Sequence, residues 1–343
     1  MELTIIPGDG IGPEIMKSAL AVLEAVKAPF GHYVIADAGE SAIASHGDTL
    51  PEKTLEAIAS TGLALKGPLS TPSGGGYTSV NVRLRKHFDL YANVRPAKTL
   101  VPGGRFEGVD LVLFRENVEG LYSGDERWEE ADGHPHGRGI LTASNSRAGM
   151  LRFVDYSYRA AIAMGRKRVT LVHKANIMKA LSGIFLEAGL EVADRYRDRI
   201  ATDTLIADDC GQKLVRWPEA FDVIVTTNLL GDILSDVAAG TVGGLGLAPG
   251  ANMGDRACIF EAVHGSAPDI AGKGIANPTA LILSAAMLLD HVGHPEKAAA
   301  VRTAVSDCII AGERTRDIGG ELDTAAYTKA LLARIAANGG NVA

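Results

Sequence analysis

Asp232 and Asp236 stand four residues apart in the run Asn228-Leu-Leu-Gly-Asp232-Ile-Leu-Ser-Asp236. On a helix, that spacing puts both carboxylates on one face. Two like charges there oppose the bare helix, and a divalent cation would relieve them. Ligands that are all oxygen suit Mg²⁺ or Mn²⁺ rather than zinc. Spacing alone leaves a solvated acidic face equally open, because Ile233, Leu234 and Val237 bury only part of such a helix. Asp208 and Asp209 make a second acidic point, with Gln212 one turn after Asp208. Such a pair matters only if the fold brings it to Asp232.

The complementary signal is basic. Ser79-Val-Asn81-Val-Arg-Leu-Arg85 is followed by Arg95 and Arg115. Asn81 and Arg85 share a helical face. Arg95 precedes Pro96 and is therefore extended. Arg115 ends a strand, where α/β proteins place ligands. Arginine forks bind carboxylates in a bidentate way, so several converging arginines suit a polycarboxylate. Taken singly, each arginine reads more readily as a surface ion pair. Tyr122 and Lys174 stand near these groups in sequence, and either can move protons once its neighbours shift its pKa. A lone Tyr or Lys more often reflects packing or solvation.

Elements of two kinds must position these groups. Strands are predicted at Leu3–Ile6, Tyr33–Ala36, Leu63–Leu65, Asp110–Phe114, Val169–Val172, Asp222–Thr226 and Ala257–Glu261. Helical spacing runs over Gly12–Val26 and Thr204–Arg216, and over about Pro278–His291, Pro295–Ala311 and Asp323–Asn338. The alternation predicts an α/β fold with a mostly parallel sheet. Trp128–Arg138 breaks the rhythm. It is polar and aperiodic, and β-prone Gly139–Asn145 follows, so an antiparallel arm is expected there. Gly8-Asp-Gly10-Ile-Gly12 sits between a strand and a helix but is GxGxG, not the GxGxxG of dinucleotide-binding turns. It reads as a tight turn with Pro13 in the first helical turn, and an ordinary Rossmann site is rejected.

Composition sets outer bounds. The chain has 343 residues and a net charge of −7, so no global positive field exists to hold nucleic acid or an anionic membrane. Cys210, Cys258 and Cys308 form no CxxC pair, which fits a reducing, cytoplasmic compartment. No signal peptide is expected, and the most apolar stretch, Pro278–Leu289, is too short to span a bilayer.

Together the motifs resemble the β-decarboxylating dehydrogenase family of isocitrate, isopropylmalate, homoisocitrate and tartrate dehydrogenases. They occur in register as GDGIGPE at 8–14, KGPLSTPSGGG at 66–76, SVNVRLR at 79–85, DLYANVRP at 89–96, RENVEGLY at 115–122, HKANIMK at 173–179, NLLGDILSD at 228–236, GGLGLAPGANMG at 243–254 and EAVHGSAPDIAGKGIANP at 261–278. The resemblance implies an isocitrate/isopropylmalate dehydrogenase-like fold, with two lobes around mixed sheets. The large domain would comprise 1–98 and 242–343. The small domain would be 99–241, with a dimerisation arm at about 121–145.

The same resemblance implies an obligatory homodimer in which Lys174, Asn176 and Asp208 enter the neighbour's active site. Ser79, Asn81, Arg85, Arg95, Arg115 and Asn176 would bind substrate. Asp232, Asp236 and the neighbouring chain's Asp208 would hold Mg²⁺ or Mn²⁺, while Lys174, coupled to Asp232 or a water, and Tyr122 would move protons. Ile11, Leu69, Thr71, His264, Gly265, Ala267, Asp269, Ile270 and Asn277 would bind the cofactor. NADP-specific members carry Lys-Tyr where this chain has Asp269-Ile270, and an Asp carboxylate repels a 2′-phosphate, so NAD is expected. The segment at 79–85 is apolar in isopropylmalate enzymes. Polar Ser79 and Asn81 facing an isopropyl group would cost roughly 1–3 kcal/mol, which favours isocitrate. Homoisocitrate, one methylene longer, is the runner-up, followed by isopropylmalate. A non-catalytic regulatory subunit is disfavoured because Tyr122, Lys174, Asp208, Asp232 and Asp236 are all kept.

Overall fold

A computed structural model describes residues 1–72 and 76–338. Residues 73–75 of the glycine-rich motif, and residues 339–343 of the expected large domain, lie outside the described residues.

The elements run, in chain order, β1 (Glu2–Ile6), α1 (Gly12–Ala25), β2 (His32–Ile35), α2 (Glu40–His46), α3 (Glu52–Thr61), β3 (Leu63–Lys66), α4 (Val80–His87), β4 (Ala92–Lys98), β5 (Asp110–Glu116), β6 (Asp125–Ala131), β7 (His134–Thr142), α5 (Arg147–Ala163), β8 (Arg168–His173), α6 (Gly183–Tyr196), β9 (Ala201–Ile206), α7 (Ala207–Arg216), β10 (Val223–Thr226), α8 (Asn228–Thr241), β11 (Pro249–Met253), β12 (Cys258–Ala262), α9 (Thr279–His291), α10 (Pro295–Ile310) and α11 (Thr324–Asn338). The chain divides into two compact units. One comprises 1–90, 98–108 and 239–343; the other comprises 91–97 and 109–238.

In the first unit the strand order is β2-β1-β3-β12-β11. Neighbours are parallel except β11, which runs antiparallel to β12. The fold is therefore α/β with a mixed sheet. Helix α9 packs on β11 and β12, with α1 and α10 against it. Residues on every face of α9 are buried, from Thr279 to Leu289, so the apolar run read from sequence is a core helix. A further cluster joins Ile6, Leu55, Ile58, Leu84, Phe88 and Ile259. The glycines at the first turn serve close approach. A Cβ on Gly8 would lie 2.3 Å from the Pro68 carbonyl oxygen, and one on Gly10 1.9 Å from that of Ser266.

In the second unit β5, β10, β8 and β9 lie side by side in parallel. Helices α5 and α6 pack together. β6 and β7 form a separate antiparallel hairpin whose residues are mostly exposed. It begins at Asp125, before the β-prone run. The sequence places helix from Thr204, but Thr204–Ile206 continues β9 and the helix begins at Ala207. Edge pairing with β8 overrides the helical spacing there. Among the described residues no helix is long and apolar enough to cross a membrane.

Candidate active site

The second unit brings five of the singled-out residues into one cluster. Arg115 is the penultimate residue of β5, at its C-terminal end, and is 1 % exposed. Asp232 lies one turn into α8, the helix that follows neighbouring β10. Arg115 Nη1 bonds Asp232 Oδ1 in a very close contact. Tyr122 donates its hydroxyl to Asp232 Oδ2 at 2.6 Å, and the Arg115 guanidinium sits 4.9 Å from the Tyr122 ring centroid. Arg95 Nη2 is 3.5 Å from Asp232, and Arg95 Nη1 is 3.5 Å from Asp236. Two guanidinium groups therefore face two carboxylates on one side of α8, as the four-residue spacing requires.

The carboxylates stay open. The Asp232 and Asp236 side chains are 35 % and 53 % exposed, against 9 % and 1 % for Arg95 and Arg115. Partial burial pushes the Asp236 carboxyl up. The Arg95 charge pulls it back, Asp232 pushes it further up, and Arg115 pulls it down, the net shift being upward. An oxygen-only donor pair carrying this mutual repulsion fits a hard divalent cation. Among the described residues no group of three or more His, Cys, Asp or Glu side chains is arranged to hold a metal.

Asp208 does not join the cluster within the chain. It stands in the first turn of α7, and Lys174 bonds it in a very close contact. That hydrogen bond and the ammonium charge hold its carboxyl below the ordinary range. Lys174 follows the end of β8, and Asn176 beyond it is exposed. Lys174, Asp208, Arg115 and the start of α8 all lie at the C-terminal ends of parallel strands. That is the edge where open α/β sheets bind ligands.

Three residues at the cluster were not singled out from sequence. Asn228 Oδ1 accepts from Arg115 Nε at 3.2 Å and Nη2 at 2.7 Å. Ser235 Oγ accepts from Arg95 Nη1 at 2.6 Å, and Asn93 accepts from Arg95 Nε at 2.5 Å. All three lie inside the family motifs, but their spacing has no charge to mark it.

The remaining candidates sit in the first unit. Ser79 precedes α4 and accepts from the Thr71 hydroxyl at 3.3 Å. Asn81 Oδ1 and Arg85 Nε are buried with no hydrogen-bond partner, the condition of a site whose ligand completes it. Arg85 reaches Glu261 at 3.8 Å, in a buried network in which Lys66 lies 2.5 Å from Glu261 and Asn252 donates to it at 2.6 Å.

Ile11, Leu69, Thr71, His264, Gly265, Ala267, Asp269, Ile270 and Asn277 lie on three loops that are laced together. Ile11 N–H donates to Ser266 O at 2.9 Å, Asp9 N–H to Pro68 O at 2.8 Å, and the Ser70 and Ser266 hydroxyls meet at 2.9 Å. Buried Asp9 also accepts from Ser70 N–H at 2.9 Å. His264 Nδ1 faces Gly265 O at 2.9 Å while its Nε2 is buried without a partner. Ala267 adopts a left-handed φ of 41° before the short turn that holds Asp269 and Ile270, and Asp269 is exposed. Asn277 is fixed by donating to Asp317 at 2.9 Å and accepting from Thr279 N–H at 3.0 Å.

Comparison with known proteins converges on one family. The isocitrate/isopropylmalate dehydrogenase family model matches residues 2–334. The isocitrate/homoisocitrate dehydrogenase of Thermus thermophilus is 47 % identical over 333 residues, which cover 96 % of this chain and 97 % of that one. The 3-isopropylmalate dehydrogenase of Archaeoglobus fulgidus is 46 % identical over 328 residues, covering 94 % of this chain and 96 % of that one. The crystal structure of isocitrate dehydrogenase from Methylococcus capsulatus superposes with a TM-score of 0.94 at 47 % identity, covering 97 % of this chain and 99 % of that one. With arginines facing a pair of open aspartates on one helix, and a match that runs through nearly the whole chain, this protein belongs to the isocitrate/isopropylmalate dehydrogenase family.

Proposed function

We propose that the chain oxidises and decarboxylates isocitrate to 2-oxoglutarate and CO₂, with NAD and with Mg²⁺ or Mn²⁺. The observation that carries this reading is the facing of Arg95 and Arg115 with Asp232, Asp236 and the Tyr122 hydroxyl in the second unit. Arg95 and Arg115 bind substrate carboxylates through the guanidinium N–H groups they turn toward the aspartates. Ser79, Asn81 and Arg85, by the family likeness, bind the same substrate, and Asn176 joins them from a neighbouring copy of the chain. The unsatisfied Arg85 Nε–H, a donor, supports a substrate carboxylate over an isopropyl group.

Asp232, Asp236 and the Asp208 carboxylate of a second copy would hold the cation. When bound, the cation's charge acidifies the substrate's hydroxyl and offsets the negative charge left by decarboxylation. Lys174, coupled to Asp232 or a water, helps remove the hydroxyl proton. NAD, when bound, supplies the hydride acceptor. The nine residues on the three laced loops hold it, with the exposed Asp269 carboxylate favouring free ribose hydroxyls over a 2′-phosphate. Tyr122 delivers a proton to the carbon that has lost CO₂. Its hydroxyl, hydrogen-bonded to Asp232, is positioned to do so.

A homodimer with shared sites is part of the proposal. Lys174 and Asp208 pair with each other rather than with Asp232 within one chain, and Ile177, three residues after Lys174, and Ile233, next to Asp232 in sequence, are 71 % and 55 % exposed. Three buried free cysteines fit a reducing compartment such as the cytoplasm. Homoisocitrate is the second reading, because the Thermus relative's name joins it to isocitrate.

Initial rates with isocitrate, homoisocitrate, isopropylmalate and tartrate, each with NAD and NADP and with or without Mn²⁺, test the proposal. Clear preference for isopropylmalate would overturn the substrate, and preference for NADP the cofactor. Absence of turnover without a partner chain would support a regulatory role. Mixing refolded Lys174→Ala and Asp232→Asn chains tests sharing. Each variant alone is expected inactive, and the hybrid dimer regains activity only if the two residues serve one site from different chains.

A further inference from the structure

Arg115 is almost wholly enclosed, yet its Nη1 reaches the half-open Asp232 carboxylate. Its stem crosses the first turn of α8 at Gly231, where a Cβ would lie 2.6 Å from Arg115 Cγ. Its head is then clasped on the far side. Asn228 Oδ1 accepts from both Nε and Nη2, so Nη1 remains for the carboxylate cluster. The Asn228 amide is 2 % exposed, and its Nδ2 donates to Glu119 O at 3.1 Å. Chemistry fixes both ends of this amide. A guanidinium can only donate, so the oxygen must face it. A carbonyl can only accept, so the nitrogen must face that.

Glu119 is itself held firmly. The Glu116 carboxylate accepts from Val118 N–H at 2.9 Å and from Glu119 N–H at 3.0 Å. The Glu119 carboxylate accepts from Ser146 N–H and Oγ, each at 2.6 Å, at the start of α5. Tyr122 follows Glu119 by three residues and reaches Asp232. One amide therefore touches the arginine, the loop that presents the tyrosine and the helix that carries Asp232.

We propose that Asn228 is a positioning residue: its side-chain amide seats the Arg115 guanidinium and ties it to the loop that carries Tyr122, so that both meet Asp232 in register. The role deepens the proposed isocitrate reaction and rests on that reading for its kinetic consequence, but not for its structural one. Ala at this position removes both ends of the link. Asp keeps the acceptor for Arg115 and loses the donor to Glu119.

The experiment pairs ligand-free ¹⁵N NMR of arginine Nε–H exchange with steady-state kinetics, on wild type, Asn228→Ala and Asn228→Asp. Arg115 Nε–H is expected to exchange slowly in wild type and in N228D, and fast in N228A. N228A is expected to lower kcat/KM by about 10–100-fold, the loss that follows from unmaking hydrogen bonds to a charged group, with KM rising because Arg115 is unseated. N228D is expected to lower kcat about tenfold while Arg115 stays protected, because the Tyr122 loop is released. A purely structural residue would lower Tm without this split. Unchanged Arg115 exchange in N228A overturns the proposal. Should N228A fail to fold, N228D decides: fast exchange or wild-type kcat there overturns it. If wild type turns over neither isocitrate, homoisocitrate nor isopropylmalate, the functional reading fails, and the exchange measurement alone judges the amide.

Discussion

Two glutamates, one in each unit, are buried almost equally and titrate in opposite directions. Glu261 is 7 % exposed and Glu116 is 2 % exposed. Burial pushes both carboxyls up. At Glu261 the Lys66 and Arg85 charges, with hydrogen bonds from Lys66 and Asn252, outweigh it and hold the group at about 2. At Glu116 burial wins over backbone N–H bonds from Val118 and Glu119, with repulsion from the Glu119 carboxylate added, and the group is pushed to about 7. Peptide dipoles alone do not offset the burial of a carboxylate here, whereas a full opposing charge does. Asp232 and Asp236 show a third arrangement: arginines beside them, but water still reaching them. Enclosed carboxylates such as Glu261 and Glu116 hold architecture, and carboxylates left open, such as Asp232 and Asp236, remain available for chemistry.

The largest way to sharpen that contrast is Asp232→Asn, which alters an open charge. Turnover is expected to fall by about 10³-fold or more with loss of Mn²⁺ dependence, while the denaturation midpoint falls less than in Lys66→Met, because the amide oxygen still accepts from Arg115. Activity and Mn²⁺ response that survive the change would remove the cluster from the reaction.

Lys66→Met alters an enclosed charge and breaks the comparison from the other side. It leaves Glu261 buried with the Asn252 hydrogen bond and Arg85 at 3.8 Å as its only cation among the described residues, and a loss of about 3–5 kcal/mol of stability is expected, read from denaturant melts. Adding Glu261→Gln should recover much of it. The wild-type pair also has a pH signature. The folded Glu261 carboxyl lies below its unfolded value of 4.5, so its contribution is complete above about pH 4.5 and is lost as pH falls toward 2. In Lys66→Met that acid-side loss should shrink.

Glu116 carries the opposite sign. Its folded carboxyl keeps a proton up to about pH 7, while an unfolded one loses it near 4.5. Stability from this group is therefore complete below 4.5, and it declines by on the order of 3 kcal/mol as pH rises from 4.5 to 7. Glu116→Gln should flatten that slope, as seen in melts at pH 5 and pH 8, and equal slopes in wild type and variant would show that Glu116 is ionised throughout.

The smallest effect belongs to a charge pair that is only half buried. Arg83 contacts Asp48 at 2.7 and 2.9 Å, with side chains 36 % and 48 % exposed. Arg83→Ala is expected to cost less than about 1 kcal/mol. A cost comparable to Lys66→Met would mean that pairing rather than enclosure sets these energies.

Much of this molecule is written locally. Four-residue spacing put Asp232 and Asp236 on one helical face, short apolar runs between period-3.6 stretches announced the α/β alternation, and nine motifs in register marked the family. Chain order alone carries those signals, because each depends on neighbours within a turn or a strand. Tertiary structure decided which distant groups meet. Asn228 lies 113 residues from Arg115 and has no charge to advertise it. Lys174 found Asp208 because β8 and β9 are neighbours in the sheet. The opposite behaviour of Glu261 and Glu116 follows from the same cause. A carboxyl's environment is set by strands that pack beside it, and strand order is a property of the folded sheet rather than of local spacing.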